Sequence, residues 1–308
     1  MTMPADIREE SQIIETQQAR RKASSFARVV KEFQQDSRLW FGVVLILTIL
    51  AALFAPIISP YSPLLYHPAI ATQGPSLAHP LGTDVLGRDQ LSRVIYGTRI
   101  SLTVGLASII LGGMCGTLMG VIAAYAKGWV DQVITMIVDA LLSFPSLILA
   151  LAIAAALGPN IINVAIALAV VRIPIYARIA RGQTLQESSR QYLEAARVSG
   201  TRTWKILLRH ILPNIFSPLL VQATISISFA ILDESVLSFL GLGAQPPTPE
   251  WGSMISDAQG YLRTDPWMML GPALAIIIVV LSLNLFGDAL RDRLDPRSVT
   301  RIISPTKE

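Results

Sequence analysis

Charge is scarce in this chain. Of 308 residues only 15% are Asp, Glu, Lys or Arg and 52% are hydrophobic, whereas a soluble domain typically carries about 25% charged residues. The shortage excludes an ordinary soluble domain and points to a membrane protein. Cysteine is almost missing as well. Cys115 stands alone, so no intrachain disulfide can form, and inside an apolar run it reads as a small packing residue. No G-x-x-x-x-G-K-[ST] loop is present to cradle phosphates through backbone amides and a lysine, so any ATP-driven step needs another subunit. G-x-G-D, G-x-S-G and H-E-x-x-H are missing too, and GLGA at 241–244 lacks the Asp of the first. An intramembrane protease built on Asp139 and Asp233 would lack its motif. No catalytic residue, metal site, cofactor or nucleic-acid partner is expected.

What the chain does have is apolar runs of membrane length. A span needs roughly 20 apolar residues to cross about 30 Å of hydrocarbon. Such runs lie at 39–58, 102–126, 133–157, 161–180, 215–240 and 270–290. The first is longer than a usual signal h-region and no A-x-A site follows closely, so it is read as a retained anchor. The expected class is an all-α membrane protein with six transmembrane helices.

Short segments rich in Lys and Arg stay in the cytoplasm. The N-terminal tail 1–38 carries Arg20, Arg21, Lys22, Arg28, Lys31 and Arg38. The turn after the second run has Lys127. The 181–209 connection has Arg181, Arg190, Arg197, Arg202, Lys205 and Arg209, and the tail 291–308 has Arg291, Arg293, Arg297 and Arg301. The intervening segments are neutral or acidic, notably the loop 241–269 with Glu250, Asp257 and Asp265 against Arg263. Both termini are therefore expected in the cytoplasm. The 59–101 connection runs against the pattern, because Arg88, Arg93 and Arg99 outnumber Asp84 and Asp89.

The basic stretch YLEAARVSGTRTWKILLRHILPN at 192–214 is thereby placed inside. Leu193, Ala196, Gly200, Trp204, Leu207 and Ile211 step by three or four residues along one helical face, while Arg202, Lys205 and Arg209 share the other. Glycine is unfavourable in a helix interior, so a break into two short helices is expected at Gly200, with Pro213 near the membrane re-entry. An interfacial helix on anionic lipid and a docking helix for a cytoplasmic partner both fit this wheel.

The letters Glu194, Ala195, Ala196, then Gly200, then Leu212 and Pro213, resemble the EAA signature of permease subunits in binding-protein-dependent ABC importers. The family usually shows Ile two residues before that Leu, where this chain has His210. Three further blocks, HPLGTDVLGRDQLSRVIYGTRISL (79–102), SFLGLGAQPPTPEWGSMI (238–255) and LFGDALRDRLDPR (285–297), resemble the C-type subunit of dipeptide, oligopeptide, glutathione and nickel importers. The resemblance covers about 39–297. It implies a type I ABC importer permease fold in a bacterial inner membrane and a core permease domain over 102–290. The implied partners are a second homologous permease, two cytoplasmic ATP-binding subunits and an extracytoplasmic solute-binding protein. It also implies a peptide substrate, with glutathione or a nickel chelate as the alternatives. By that resemblance Glu194 to Gly200 contact an ATPase, with Trp204 and Leu207 packing against the permease or the ATPase cleft.

Ionisable residues inside hydrocarbon are costly and invite functional readings. Asp139, Arg172, Asp233 and Glu234 are the candidates for the translocation path, Asp139 with Arg172 reading equally well as a structural ion pair. A proton-coupled carrier would instead use Asp139, Asp233 or Glu234 as its proton site. Asp288, near a span end, reads as a snorkelling or surface-paired residue. Gly112, Gly116 and Gly120 form overlapping G-x-x-x-G steps that let helices approach closely, within the chain or at a seam with a partner. Pro145 and Pro174 mark candidate bends. In the outer loops Gly82, Gly87 and Gly97 read as turn residues, and Trp251 as an interfacial aromatic or a contact for the binding protein.

Overall fold

A 37-residue helix organises the molecule. The computed structural model describes residues 37–294; most of the two expected tails, including Arg20, Arg21, Lys22, Arg28, Lys31, Arg297 and Arg301, lies outside the described residues. All regular elements among the described residues are helical. The principal ones are α1 (Trp40–Leu53), α2 (Gln90–Ala126), α3 (Gly128–Leu142), α4 (Ser146–Leu157), α5 (Ile161–Ser188), α6 (Gln191–Val198), α7 (Thr203–Ile206), α8 (Leu212–Phe239), α9 (Trp251–Ala258) and α10 (Trp267–Leu294). Among the described residues, four helices are long and apolar enough to cross a membrane: α2, α5, the continuous Thr203–Phe239 and α10. The pair α3 and α4, bent by 93°, makes a fifth candidate.

The six expected runs thus map onto four long helices, one bent pair and the 14-residue α1. At 1.5 Å per residue α1 alone is about 21 Å long. A short helical turn at Ala55–Ile58 extends it after a break at Phe54. Pro56 sits in the first turn of that extension, where its missing N–H costs nothing.

The second run begins earlier than hydropathy indicates. Asp89 caps α2 by accepting from Ser92 N at 2.7 Å, so the helix starts at Gln90, twelve residues before the apolar run. This polar extension is wrapped by the preceding segment. Asp84 accepts from the backbone of Leu86 and Arg88, each at 2.9 Å, and from Arg88 Nε at 2.5 Å. Arg93 lies near the same carboxylate and donates to Pro63 O at 3.2 Å, and His79 Nδ1 meets Asp89 Oδ1 at 2.9 Å. Gly82 and Gly87 take positive φ in this wrap, as turn residues do. Arg88 and Arg93, which opposed the loop-charge pattern, are buried and share Asp84; only Arg99 of the three is exposed.

α2 and α5 run side by side in the same direction. A Cβ on Gly112 would come 2.5 Å from Ala169 O and 3.0 Å from the Arg172 Cβ, and Cβ atoms on Gly116 and Gly120 would strike the carbonyls of Ile173 and Ala177. The glycine stripe is spent within the chain. Between these helices the path reverses through α3 and α4. Pro145 lacks an N–H and disfavours helical φ/ψ at Phe144, so the helix stops at Leu142 and restarts at Ser146. Pro174 falls inside α5 without ending it. α1 returns beside α10: Arg38 pairs with Asp292 at 2.9 Å, and Gly42 receives the Phe286 ring. Both ends of the described chain accordingly meet at one end of the bundle.

Candidate coupling segment and charged groups of the spans

At that end of the bundle α5 gives way to α6. Leu193 on α6 is fully buried in a core with Tyr176, Ala180, Ile206, Ile211 and Ile215, while Glu194 and Ala195 are exposed, Ala196 is half-buried and Val198 is 90% exposed. α6 ends in a Schellman arrangement. Gly200 N donates to Arg197 O and Thr201 N to Ala196 O, each at 3.0 Å, with Gly200 at φ +74°. Nothing lies within 4 Å of where a Gly200 Cβ would be. Glycine is therefore required here for its backbone conformation, not for space.

The predicted break at Gly200 is present, but the second short helix is not separate. α7 runs through a π-turn, Leu207–Ile211, directly into α8. Pro213 explains the irregularity: it has no N–H to give the Arg209 carbonyl, and the helix widens by one residue just before it. The face drawn on a single wheel also splits. Ile206 and Ile211 are buried and Leu207 is half-buried, whereas Trp204 is 54% exposed and Leu212 lies outward with Leu208. Glu187 at the end of α5 ties the segment down. It accepts from the Tyr192 hydroxyl, from Asn214 Nδ2 at 3.2 Å and from Arg190 Nε at 2.9 Å. His210 packs its ring against Tyr192, centroids 6.1 Å apart, and its carbonyl accepts from Asn214 Nδ2 at 2.8 Å.

Asp139 and Arg172 are not partners. Six residues along a helix turn about 240°, which separates Arg172 from Arg178 on α5. Arg172, pressed against Gly112, reaches Asp233 on α8. Asp139 on α3 accepts instead from Arg178 Nη2 at 2.8 Å. A second link between the same helices is bidentate: Arg181 Nε and Nη2 donate to Asp131 at 2.6 and 2.7 Å. Asp131, Arg178 and Arg181 were missed as span charges, although the three-residue spacing of the two arginines was readable. Asp288 is exposed near the end of α10.

At the other end Glu234 lines no open cavity. It is 0% exposed, accepts from Ser238 Oγ at 3.3 Å and lies beside Glu250, which is equally enclosed. Glu250 caps α9 by accepting from Gly252 N at 2.6 Å and Ser253 N at 2.8 Å. Burial raises the Glu250 carboxyl above the ordinary carboxylate range, against the lowering effect of those two amides. Trp251 is buried rather than interfacial: it lies over Gly97 and donates Nε1 to Val94 O at 3.0 Å. Gly97 is helical, and its missing side chain makes that room. A cavity of about 580 Å³ opens between α2 and α5 beside the loop carrying Gln245 and Thr248. It is mainly apolar, with Arg99 and Asn160 at its rim.

Residues 116–300 match the family described as binding-protein-dependent transport system inner membrane component. The chain belongs to this family. The match takes in α6, its glycine cap and the Arg172–Asp233, Arg178–Asp139 and Arg181–Asp131 pairs. Relatives of this inner-membrane component extend further toward the N-terminus. The dipeptide transport system permease protein of Alkalihalophilus pseudofirmus is 41% identical over 89% of this chain and 90% of its own length. The di/tripeptide transport system permease protein of Pseudomonas aeruginosa is 44% identical over 82% and 86%. The glutathione transport system permease protein of Pectobacterium atrosepticum is 44% identical over 83% and 85%. Among solved structures, an inward-facing MetNI methionine ABC transporter chain aligns at a TM-score of 0.54 with 19% identity, over 66% of this chain and 96% of that one. The fold is that of a type I importer permease.

Proposed function

We propose that this chain is the pore-forming permease subunit of an ABC importer that carries di- or oligopeptides into the cytoplasm, glutathione being the alternative solute. It pairs with a second homologous permease, two cytoplasmic ATP-binding subunits hydrolyse ATP, and an extracytoplasmic binding protein delivers the solute. The end of the bundle carrying α6 faces the cytoplasm, as do both chain termini. The observation that carries this reading is α6 itself. Its Glu194–Ala195 face and Val198 project into open space, while Leu193 roots it in the core shared by α2, α5, α7 and α8. Such a segment suits a cleft on an ATPase, with Glu194, Ala195, Ala196 and Gly200 in contact and Trp204 at the rim. Leu207, Leu212 and Pro213 form the joint that carries motion into α8. The peptide assignment rests on the dipeptide and di/tripeptide permeases that resemble the chain along most of its length.

The test uses the complete complex in proteoliposomes. Glu194→Lys places a cation on the docking face, and Gly200→Trp forces a side chain onto a left-handed backbone, a strain of about 1–2 kcal/mol. Both variants are expected to lose ATP-binding subunits on purification and to lose ATP-driven peptide uptake. Normal uptake and normal association in both would remove α6 from the coupling role. Uptake by this chain alone on a proton gradient would overturn the importer assignment altogether.

A further inference from the structure

The Asp139–Arg178 pair is the unusual charged feature of the bundle. Its side chains are 57% and 65% exposed, whereas Arg172 and Asp233 are 13% and 18% exposed. Asp139 and Arg178 share a small cavity with Gly120 of α2. Gly120 lies seven residues before Lys127, so the pair sits about 10 Å inside the end of an uncharged helical run at 1.5 Å per residue. An arginine can snorkel over such a distance, but an aspartate side chain is too short. An ion pair this exposed at this depth does not tolerate hydrocarbon, so the flank of α3 and α5 that carries it is suited to water or a polar partner.

We propose that Asp139 and Arg178 form a solute station on the cytoplasmic half of the translocation path, Asp139 receiving the ammonium terminus of a peptide and Arg178 its carboxylate. The assignment rests on the peptide-permease reading. An exposed ion pair is weak in water and opens readily. A zwitterion inserted between its members replaces one pair by two and leaves no charge unbalanced. Arg172–Asp233 cannot serve this way, because it is enclosed between α5 and α8 and opening it would strand a buried charge. The bidentate Arg181–Asp131 link, nearer the start of α3, holds the two helices together while Arg178 exchanges partners.

The experiment is aqueous thiol labelling in the complete complex. Cys115→Ala removes the native thiol, and Met136→Cys and Ile175→Cys, each at an exposed position one helical turn from a member of the intact pair, are exposed to a membrane-impermeant charged methanethiosulfonate from the cytoplasmic face. Both positions are expected to react, and Ala–Ala supplied with binding protein and ATP is expected to slow the reaction at both. Arg178→Gln is expected to lower Ala–Ala uptake roughly tenfold, the loss of one charge-assisted hydrogen bond, with Arg178→Lys recovering most of it. No labelling at either position would place the pair against lipid or a partner subunit and overturn the proposal. Labelling unaffected by Ala–Ala, in a complex whose parent transports it, would put the pair in water but off the route and overturn it equally. A parent complex that labels but never transports Ala–Ala would instead condemn the peptide reading on which the station rests.

Discussion

Glu250 shows how one residue can hold two segments together. Its carboxyl caps α9 while facing Glu234 on α8, and burial raises it above the ordinary range near 4.5. An acid whose folded pKa is raised favours the protonated fold. Its contribution is complete below the unfolded pKa and is lost as pH rises through the folded value. Glu250→Gln removes that titration while keeping one acceptor for the cap. The variant is expected to be less stable than the parent at about pH 4.5, with the gap closing or reversing by about pH 8. Thermal unfolding in detergent at both values checks this, and a gap that ignores pH would show that the fold does not raise the Glu250 carboxyl. The charge of such residues was legible in the sequence; their partners were not. Asp139 is drawn to Arg178 rather than Arg172 by helix register, which depends on the bend at Pro145 and on where Gly112 seats α5.

At the scale of elements, hydropathy located the spans because hydrocarbon demands length and little else. It failed at 90–101, where Gln90, Arg93 and Arg99 look like loop until Asp89 is seen to cap the helix. It failed at Trp251 for a related reason. Only packing against Gly97, far away in sequence, removes that indole from the interface. The glycine stripe was readable as a close-packing surface, yet its partner had to be seen. That partner is α5, and the fit separates neighbouring glycines. A Cβ on Gly113 would meet Tyr176 at 3.4 Å, an ordinary contact, while one on Gly116 would strike the Ile173 carbonyl. Gly116→Ala is therefore expected to destabilise the bundle by about 1–3 kcal/mol through overpacking, whereas Gly113→Ala stays within about 0.5 kcal/mol. Equal losses in detergent melting would mean that α2 and α5 are not held at this distance.

For the whole molecule, the coupling role proposed for α6 raises the question of how a push on it would reach the other helices. The core around Leu193 answers it mechanically. Leu193 from α6, Ile206 from α7, Ile211 and Ile215 around the start of α8, and Tyr176 and Ala180 from α5 share one buried cluster. Movement of α6 must then displace α5 and α8 together, and these two helices carry Arg172, Arg178 and Asp233. Leu193→Ala tests this link without touching the exposed docking face. Removing the buried side chain should cost about 2–5 kcal/mol of local packing and loosen α6 from the bundle. ATP-binding subunits should still co-purify through Glu194 and its neighbours, and hydrolysis should continue. Peptide delivered per ATP consumed should fall, because part of each stroke is absorbed where α6 meets its core. A variant that melts earlier yet keeps the parent's ratio of peptide to ATP would show that force enters the spans elsewhere, leaving the tie from Glu187 through Tyr192 to Asn214 as the next route to cut.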